Sequence, residues 1–411
     1  MRGRAILLLV ILVTLSGCGM SSVKPMTAPG AQLGESDDER HLLSLAAEVD
    51  DDIRRAGLLY DHPPLQQYLD KVGRSLLPPA VDGQLRFLIL RSPVINAMAL
   101  PNGSVYVSLG LLARIENEAQ LAQMLAHEAS HVIFRHSLAH ARGSKAGAVV
   151  AEVAEIATLG IGAVMRLPIH MAVSGYSRSQ EEEADRHGLQ LARAAGYDAT
   201  AAVSLYDTVR NSLPAALDDR SSIYASHPTL RRRSKYLRRE LARAAPAAAG
   251  TVSAGELLAR TESIQREYLR LLVRAQQFAT AQESAAIIEA RMPSEAWIPC
   301  LLGDAQIGTA QHPEAAAFEQ AHREGKKVTD ELVESFRSRR TEMLQTARQS
   351  YRRCADADPA RAEAQRGIGL ASHLLDDPAE AAPALRSYLA AAGAAASDRR
   401  FIEHLLTVRP Q

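Results

Sequence analysis

Aromatic residues are scarce in this 411-residue chain: Phe, Trp and Tyr together make up 4% of it, with a single Trp. With alanine abundant, the composition leans toward helix. Cysteine is scarce too, at three residues, which excludes a small disulfide-stapled scaffold. Net charge is absent: 47 basic residues balance 47 acidic ones, so nothing points to nucleic acid as a partner. Long uninterrupted apolar runs are missing as well. Residues 143–165 are rich in Ala, Gly, Val and Ile, but Glu152 and Glu155 interrupt them. The clean run 157–165 is too short to span a bilayer, so the stretch reads as a packed helical hairpin. The content of Val, Ile and Leu excludes general disorder. The length suggests two or three domains and is ample for a buried core.

The N-terminus reads as a targeting segment. Arg2 and Arg4 form a charged start, residues 5–15 an apolar stretch, and Leu15-Ser16-Gly17-Cys18 follows. Small residues ahead of a cysteine resemble a bacterial lipobox, which makes residues 1–17 a lipoprotein signal peptide and Cys18 the lipidated residue. An ordinary signal peptide or an uncleaved anchor are the alternatives. Gly19, in place of an Asp, resembles the signal that sorts lipoproteins to the outer membrane, facing the periplasm of a Gram-negative cell. Residues 18–37 read as a flexible tether. Cys300 and Cys354 remain, either as a disulfide or as two buried thiols.

Helical patterns run from Asp38 to Arg55 and from Pro63 to Leu76. A strand-like run, Arg86-Phe-Leu-Ile-Leu90, precedes two strands around the turn Pro101-Asn102-Gly103. An exposed edge strand there would hold an extended peptide; a structural hairpin is the plainer reading.

Next comes His127-Glu128-x-x-His131, capped by Asn117 with Gln120 three residues on. On a helix the two imidazoles lie one turn apart and grip one metal ion from the same side, with Glu128 beside them as general base. Leu121, Met124, Leu125 and Val132 recur at helical spacing. A catalytic metal site of this kind needs a third protein ligand and an open fourth position. Glu181 and Asp185 sit one turn apart on a helix capped by Ser177 and Gln180 and ended by Gly196. Glu181 is the candidate third ligand. Asp185 would accept the other N–H of a ligating histidine. By itself, an acidic helix start is also an ordinary solvated face. Glu182 and Glu183 point to other faces. His136 and His140 lack the intervening Glu and read as structural or surface histidines.

These motifs, in this order, resemble the zinc metallopeptidases that include HtpX, the prenyl-protein endopeptidases and the periplasmic protease BepA. The resemblance covers residues 38–240. It rests on Asn96-Ala-Met-Ala-Leu-Pro101-x-Gly103, Gly110-Leu-Leu, His127-Glu128-x-x-His131, Ser177-Arg178-x-x-Glu181-x-x-x-Asp185, and Ser226-His227-Pro228 followed by Arg233. Ala129-Ser130 stand where the family often has Leu-Gly. The resemblance implies a gluzincin-type metallopeptidase domain over residues 38–241, mainly α with a small β-sheet, closest to the soluble BepA-like branch. It implies one zinc ion held by His127, His131 and Glu181. It further implies peptide-bond hydrolysis, in which Glu128 takes a proton from water and delivers it to the leaving amine. His227 or Arg233 would stabilise the oxyanion; His227 would alternatively serve as a latch on the open metal position.

After a linker at residues 242–254, residues 255–411 read as a helical domain. Ala362-Glu-Ala-Gln-Arg-Gly-Ile-Gly369 and Asp377-Pro-Ala-Glu-Ala381 resemble a tetratricopeptide repeat, with Gln365 replacing the usual Trp. Stacked hairpins offer a concave face for clients or for outer-membrane assembly machinery. The expected function is an envelope zinc endopeptidase acting on misfolded or stalled periplasmic and outer-membrane proteins. The alternative is a chaperone or assembly scaffold with a vestigial metal site.

Overall fold

The computed structural model describes residues 23–143, 176–211, 230–243, 250–252, 254–393 and 396–407. The signal segment with Cys18, the hairpin expected at 143–165 apart from residue 143, and Ser226-His227-Pro228 therefore lie outside the described residues.

Two helices open the fold, α1 (Asp37–Arg55) and α2 (Pro63–Ser75). Each buries one stripe, with Leu42, Leu45, Ala46, Val49 and Ile53 on α1 and Leu65, Tyr68, Leu69 and Val72 on α2. Three strands follow: β1 (Arg86–Leu90), β2 (Ala97–Ala99) and β3 (Ser104–Ser108). Their order is β1-β3-β2, with β1 parallel and β2 antiparallel to β3. Asp50 on α1 pins the hairpin end. It accepts hydrogen bonds from Arg86 (2.8 Å), Asn102 (2.9 Å), Ser104 (2.8 Å) and Tyr106 (2.6 Å). Gly103 is needed in that turn: its φ is +87°, and a Cβ there would sit 2.1 Å from the Gln84 carbonyl oxygen.

A short α3 (Leu109–Leu112) leads into α4 (Glu118–Ile133), every residue of which is buried. The Asn117 side chain caps α4 by accepting from Gln120 N at 3.0 Å. Arg135, with φ +55°, turns the chain into α5 (His136–Gly143). Beyond residue 175 come α6 (Arg178–Ala194), α7 (Ala201–Asn211) and α8 (Leu230–Arg243). The helices α6 and α7 pack against α4, which makes α4 the axis of the domain.

The N-terminal stretch read as a tether behaves differently over its described part. Met26 is buried, and its N–H donates to the Ile133 carbonyl at 2.8 Å. Leu33 packs on the main core, and Glu39 forms a buried ion pair with Arg135. Met26 and Leu33 are two isolated apolar residues in a polar stretch. Too few to show as a pattern, they still suffice to fasten it to the end of α4.

The remaining helices are α9 (Ala254–Arg274), α10 (Phe278–Arg291), α11 (Trp297–Gln311), α12 (Pro313–Arg323) and α13 (Asp330–Ser338). They continue with α14 (Arg340–Ala357), α15 (Ala362–Leu374), α16 (Pro378–Ala392) and α17 (Arg399–Thr407). A disulfide joins Cys300 on α11 to Cys354 on α14, resolving the alternatives left by the sequence. The boundary drawn near residue 255 does not divide the packing. Leu257, Ile264, Tyr268 and Leu272 of α9 share one core with Leu109, Leu111, Leu112 and Leu125. Gln265 donates to the Ala113 carbonyl (2.9 Å), and Arg91 pairs with Glu267 (2.6 Å). Of the stretch read as a linker, residues 250–252 are tied down. Thr251 N donates to Gly196 O (2.8 Å), and Asp198 N donates to Thr251 O (3.1 Å).

Candidate metal centre

Helical spacing puts His127 and His131 on one face of α4, and α6 crosses that face. Its start is fixed by a capping box between Ser177 and Gln180, so Glu181 falls in the first turn and Asp185 one turn later. Gly188 permits the crossing, because a Cβ there would lie 2.9 Å from the backbone nitrogen of His127. Gly188→Ala is expected to push α6 off α4, costing about 1–3 kcal/mol of stability. It should also weaken metal binding, read by a urea midpoint and by chelator competition; if both were unchanged, the crossing would not need the glycine.

The two imidazoles and the carboxylate converge. His127 Nε2 lies 3.1 Å from His131 Nε2. Glu181 oxygens lie 3.7 Å from His127 Nε2 and 3.6 Å from His131 Nε2. Ligand atoms of a tetrahedral ion with bonds of about 2.0–2.1 Å stand about 3.3 Å apart, so these separations suit a single small cation. All three side chains are buried, and among the described residues they form the one cluster of His, Cys, Asp and Glu suited to a metal. Two neutral nitrogens and one carboxylate oxygen form a donor set fit for a borderline divalent ion. Glu128, next to His127, is 2% exposed.

Asp185 stands behind His127, with Oδ1 3.1 Å from Nδ1. The same oxygen accepts from Tyr206 OH (2.9 Å) and Arg233 Nη2 (2.6 Å), while Oδ2 accepts from Arg233 Nε (3.1 Å). Burial works against ionising this carboxyl. The Arg233 guanidinium and the His127 hydrogen bond outweigh it and hold Asp185 well below the usual carboxylate range. An ionised Asp185 keeps the proton on His127 Nδ1 and leaves Nε2 bare for a metal.

Arg233, considered above as an oxyanion donor, reaches the site. Its Nε and Nη2 are committed to Asp185, and Nη2 also contacts the Tyr206 hydroxyl. Its guanidinium stacks over the Tyr206 ring, 4.3 Å from the centroid, and Nη2 lies 3.0 Å from the His127 ring nitrogens. The guanidinium is thus buried against His127, Glu181 and Asp185, with Nη1 3.5 Å from Glu181 Oε2. The pairing spans 48 residues of sequence, and no local pattern signals it.

The sequence context of His136 suits a structural or a surface histidine. It is 2% exposed, the structural alternative, with Nδ1 3.0 Å from His131 Nδ1 and Nε2 3.2 Å from the Glu183 carboxylate. Burial pushes its imidazole below the usual range, against the pull of Glu183. On one continuous helix, position 136 would point away from position 131, so only the left-handed turn at Arg135 brings the rings together. Tyr176 is a second residue missed by the motif reading. Its ring stacks on His131, 3.9 Å between centroids, and its hydroxyl is 3.1 Å from Ser137 Oγ. His227 lies outside the described residues.

Residues 63–241 match the family model of peptidase family M48. The β-barrel assembly-enhancing protease of Yersinia pestis is 31% identical over 159 residues, covering 35% of this chain and 32% of that protein. Its namesake in Escherichia coli K12 is 28% identical over 159 residues, covering 36% and 33%. The mitochondrial metalloendopeptidase OMA1 of Arabidopsis thaliana is 31% identical over 156 residues, covering 36% and 30%. The chain thus spans about a third of the length of these curated relatives. The matched segment, somewhat under half of the chain, holds α4 and α6 with their candidate ligand set, so the similarity to peptidase family M48 covers the metal centre.

Proposed function

We propose that this chain is a zinc-dependent endopeptidase. The observation that carries the reading is the convergence of His127, His131 and Glu181 within 4.8 Å of one another, with Glu128 buried beside them. Bound zinc would supply Lewis acidity to a scissile carbonyl and make water acidic enough to attack near neutral pH. Glu128 accepts the proton of that water and returns it to the leaving amine. Asp185, held by Arg233 and Tyr206, fixes His127.

Substrate orientation falls to β2. It is one of the two outer strands of the sheet, and its hydrogen bonds to β3 run through Asn96, Met98 and Leu100. The backbone groups of Ala97 and Ala99 therefore turn away from β3. Ala99, Leu100 and Pro101 line a small cavity shared with His131 and Tyr176. A peptide laid along this edge in an extended form would present its backbone to the metal ligands, which favours unfolded chains over folded ones.

Two relatives carry the name β-barrel assembly-enhancing protease, and the N-terminal segment has the form of a lipoprotein signal ending at Cys18. We assign the protein to the Gram-negative envelope, anchored by lipid to the outer membrane. Its clients would be misfolded or stalled periplasmic and outer-membrane proteins. The helices after residue 254 would act as tetratricopeptide-like repeats that recruit clients or assembly machinery. The test is cleavage of an unfolded β-barrel precursor by the full chain. Chelation should abolish cleavage, and one equivalent of zinc should restore it. Cleavage that persists after metal is stripped to below about a tenth of an equivalent would overturn the assignment.

A further inference from the structure

We propose that His136 and Glu183 form a second relay behind the metal ligands, fixing the tautomer of His131 as Asp185 fixes that of His127. The inference rests on the metal-site reading above and adds two positioning residues to it. The proton assignments follow from which nitrogen faces which partner. His131 turns Nε2 toward His127 Nε2 and Glu181 at 3.1 and 3.6 Å, so Nε2 must be bare to ligate, and the proton sits on Nδ1. That Nδ1 lies 3.0 Å from His136 Nδ1, which must therefore accept and carry no proton. The proton of a neutral His136 then belongs on Nε2, 3.2 Å from Glu183 Oε2, where the carboxylate oxygen accepts it. Donation runs in one direction, from His131 through His136 to Glu183, and each imidazole has a single consistent tautomer.

The surroundings hold this chain in register. Arg135 at φ +55° turns the backbone so that His136 folds back beneath His131, their ring planes 75° apart. Phe134 stacks on the His136 ring at 5.7 Å. Gln180 Nε2 donates to the His136 carbonyl at 3.1 Å, tying this residue to the first turn of α6, which carries both Glu181 and Glu183. The ligand and the relay's outer end thus ride on one helix. The two histidine ligands are not equivalent. His127 is backed by a buried carboxylate, whereas His131 is backed by an imidazole whose partner, Glu183, has a side chain 48% exposed. Of the two supports, the His131 one ends in solvent.

The test measures zinc affinity of the full chain by competition with a chromophoric chelator, alongside the visible spectrum of the cobalt-substituted protein. His136→Phe keeps the ring stack and removes the acceptor; zinc affinity should fall about 10- to 100-fold, and the cobalt bands should shift. His136→Gln, which retains an acceptor, should recover part of the loss. Glu183→Lys places a donor opposite Nε2 and favours the wrong tautomer, with an expected loss of about tenfold or more. Glu182→Lys makes the same charge change one residue away, and its affinity should stay within about threefold of wild type. The Glu183→Lys and Glu182→Lys pair lies at a more exposed position, so it decides the matter should His136→Phe fail to fold. Equal losses in those two lysine variants, or a folded His136→Phe with affinity within about twofold of wild type, would overturn the relay. A wild-type chain that binds no zinc would instead overturn the metal reading beneath it.

Discussion

Glu128→Gln should keep about one equivalent of metal while kcat/KM on an unfolded substrate falls about 10²- to 10⁴-fold, the span usual for a general base. The reasoning is geometric. Glu128 follows His127 directly on α4, a helix buried along its whole length, so its backbone is held as firmly as that of the ligands. Glutamine matches glutamate in shape and leaves the ligand set of His127, His131 and Glu181 intact. What it removes is the capacity to accept a proton. Metal content by mass spectrometry and turnover on the same preparation separate the two effects. If turnover stays within about tenfold of wild type with metal retained, Glu128 is not the base. If metal is lost together with activity, the carboxylate supports the site rather than the proton transfer.

Arg233→Met should destabilise the chain by about 3–5 kcal/mol, because it leaves the Asp185 carboxylate buried without its counter-ion. Both side chains are almost wholly enclosed, at 5% and 1% exposure. The guanidinium donates to both carboxylate oxygens, so solvent cannot take its place after truncation. Methionine covers much of the arginine stem, which confines the change to charge and hydrogen bonding. Adding Asp185→Asn to this variant should recover a part of the loss, since the orphaned charge then disappears. Urea unfolding of the metal-stripped protein measures both steps. A cost below about 1 kcal/mol would mean that Asp185 is neutral in the native state and that Arg233 is not its support.

The parts of the fold and site that could be read beforehand are those written within a few residues. Asn117 and Gln120 mark the start of α4, and Ser177 and Gln180 mark that of α6, because caps act over one turn. The same reach makes His127 and His131, or Glu181 and Asp185, visible as pairs. The meeting of α4 with α6 was not readable from spacing; the family resemblance suggested it, and the small Gly188 surface permits it. Three features carried no advance signal. The Arg233–Asp185 clamp joins residues far apart in sequence. His136 reaches His131 only through a left-handed residue, Arg135, where glycine or asparagine would have been the usual hint. The shared core of α9 with α3 and α4 hides behind a stretch of alanine, proline and glycine that reads as a spacer.

The fastening of Lys24 and Met26 to the far end of α4 has a mechanical meaning. Arg135 Nη1 donates to the Lys24 carbonyl and Met26 N donates to that of Ile133, two residues past His131. Tension applied upstream of Lys24, by a membrane anchor or a surface-immobilised tag, would be delivered to the same turn of helix that holds a metal ligand. Pulling on that end is therefore a direct way to load the site, and a single-molecule stretch from the N-terminus should release metal at lower force than one applied between α14 and α16.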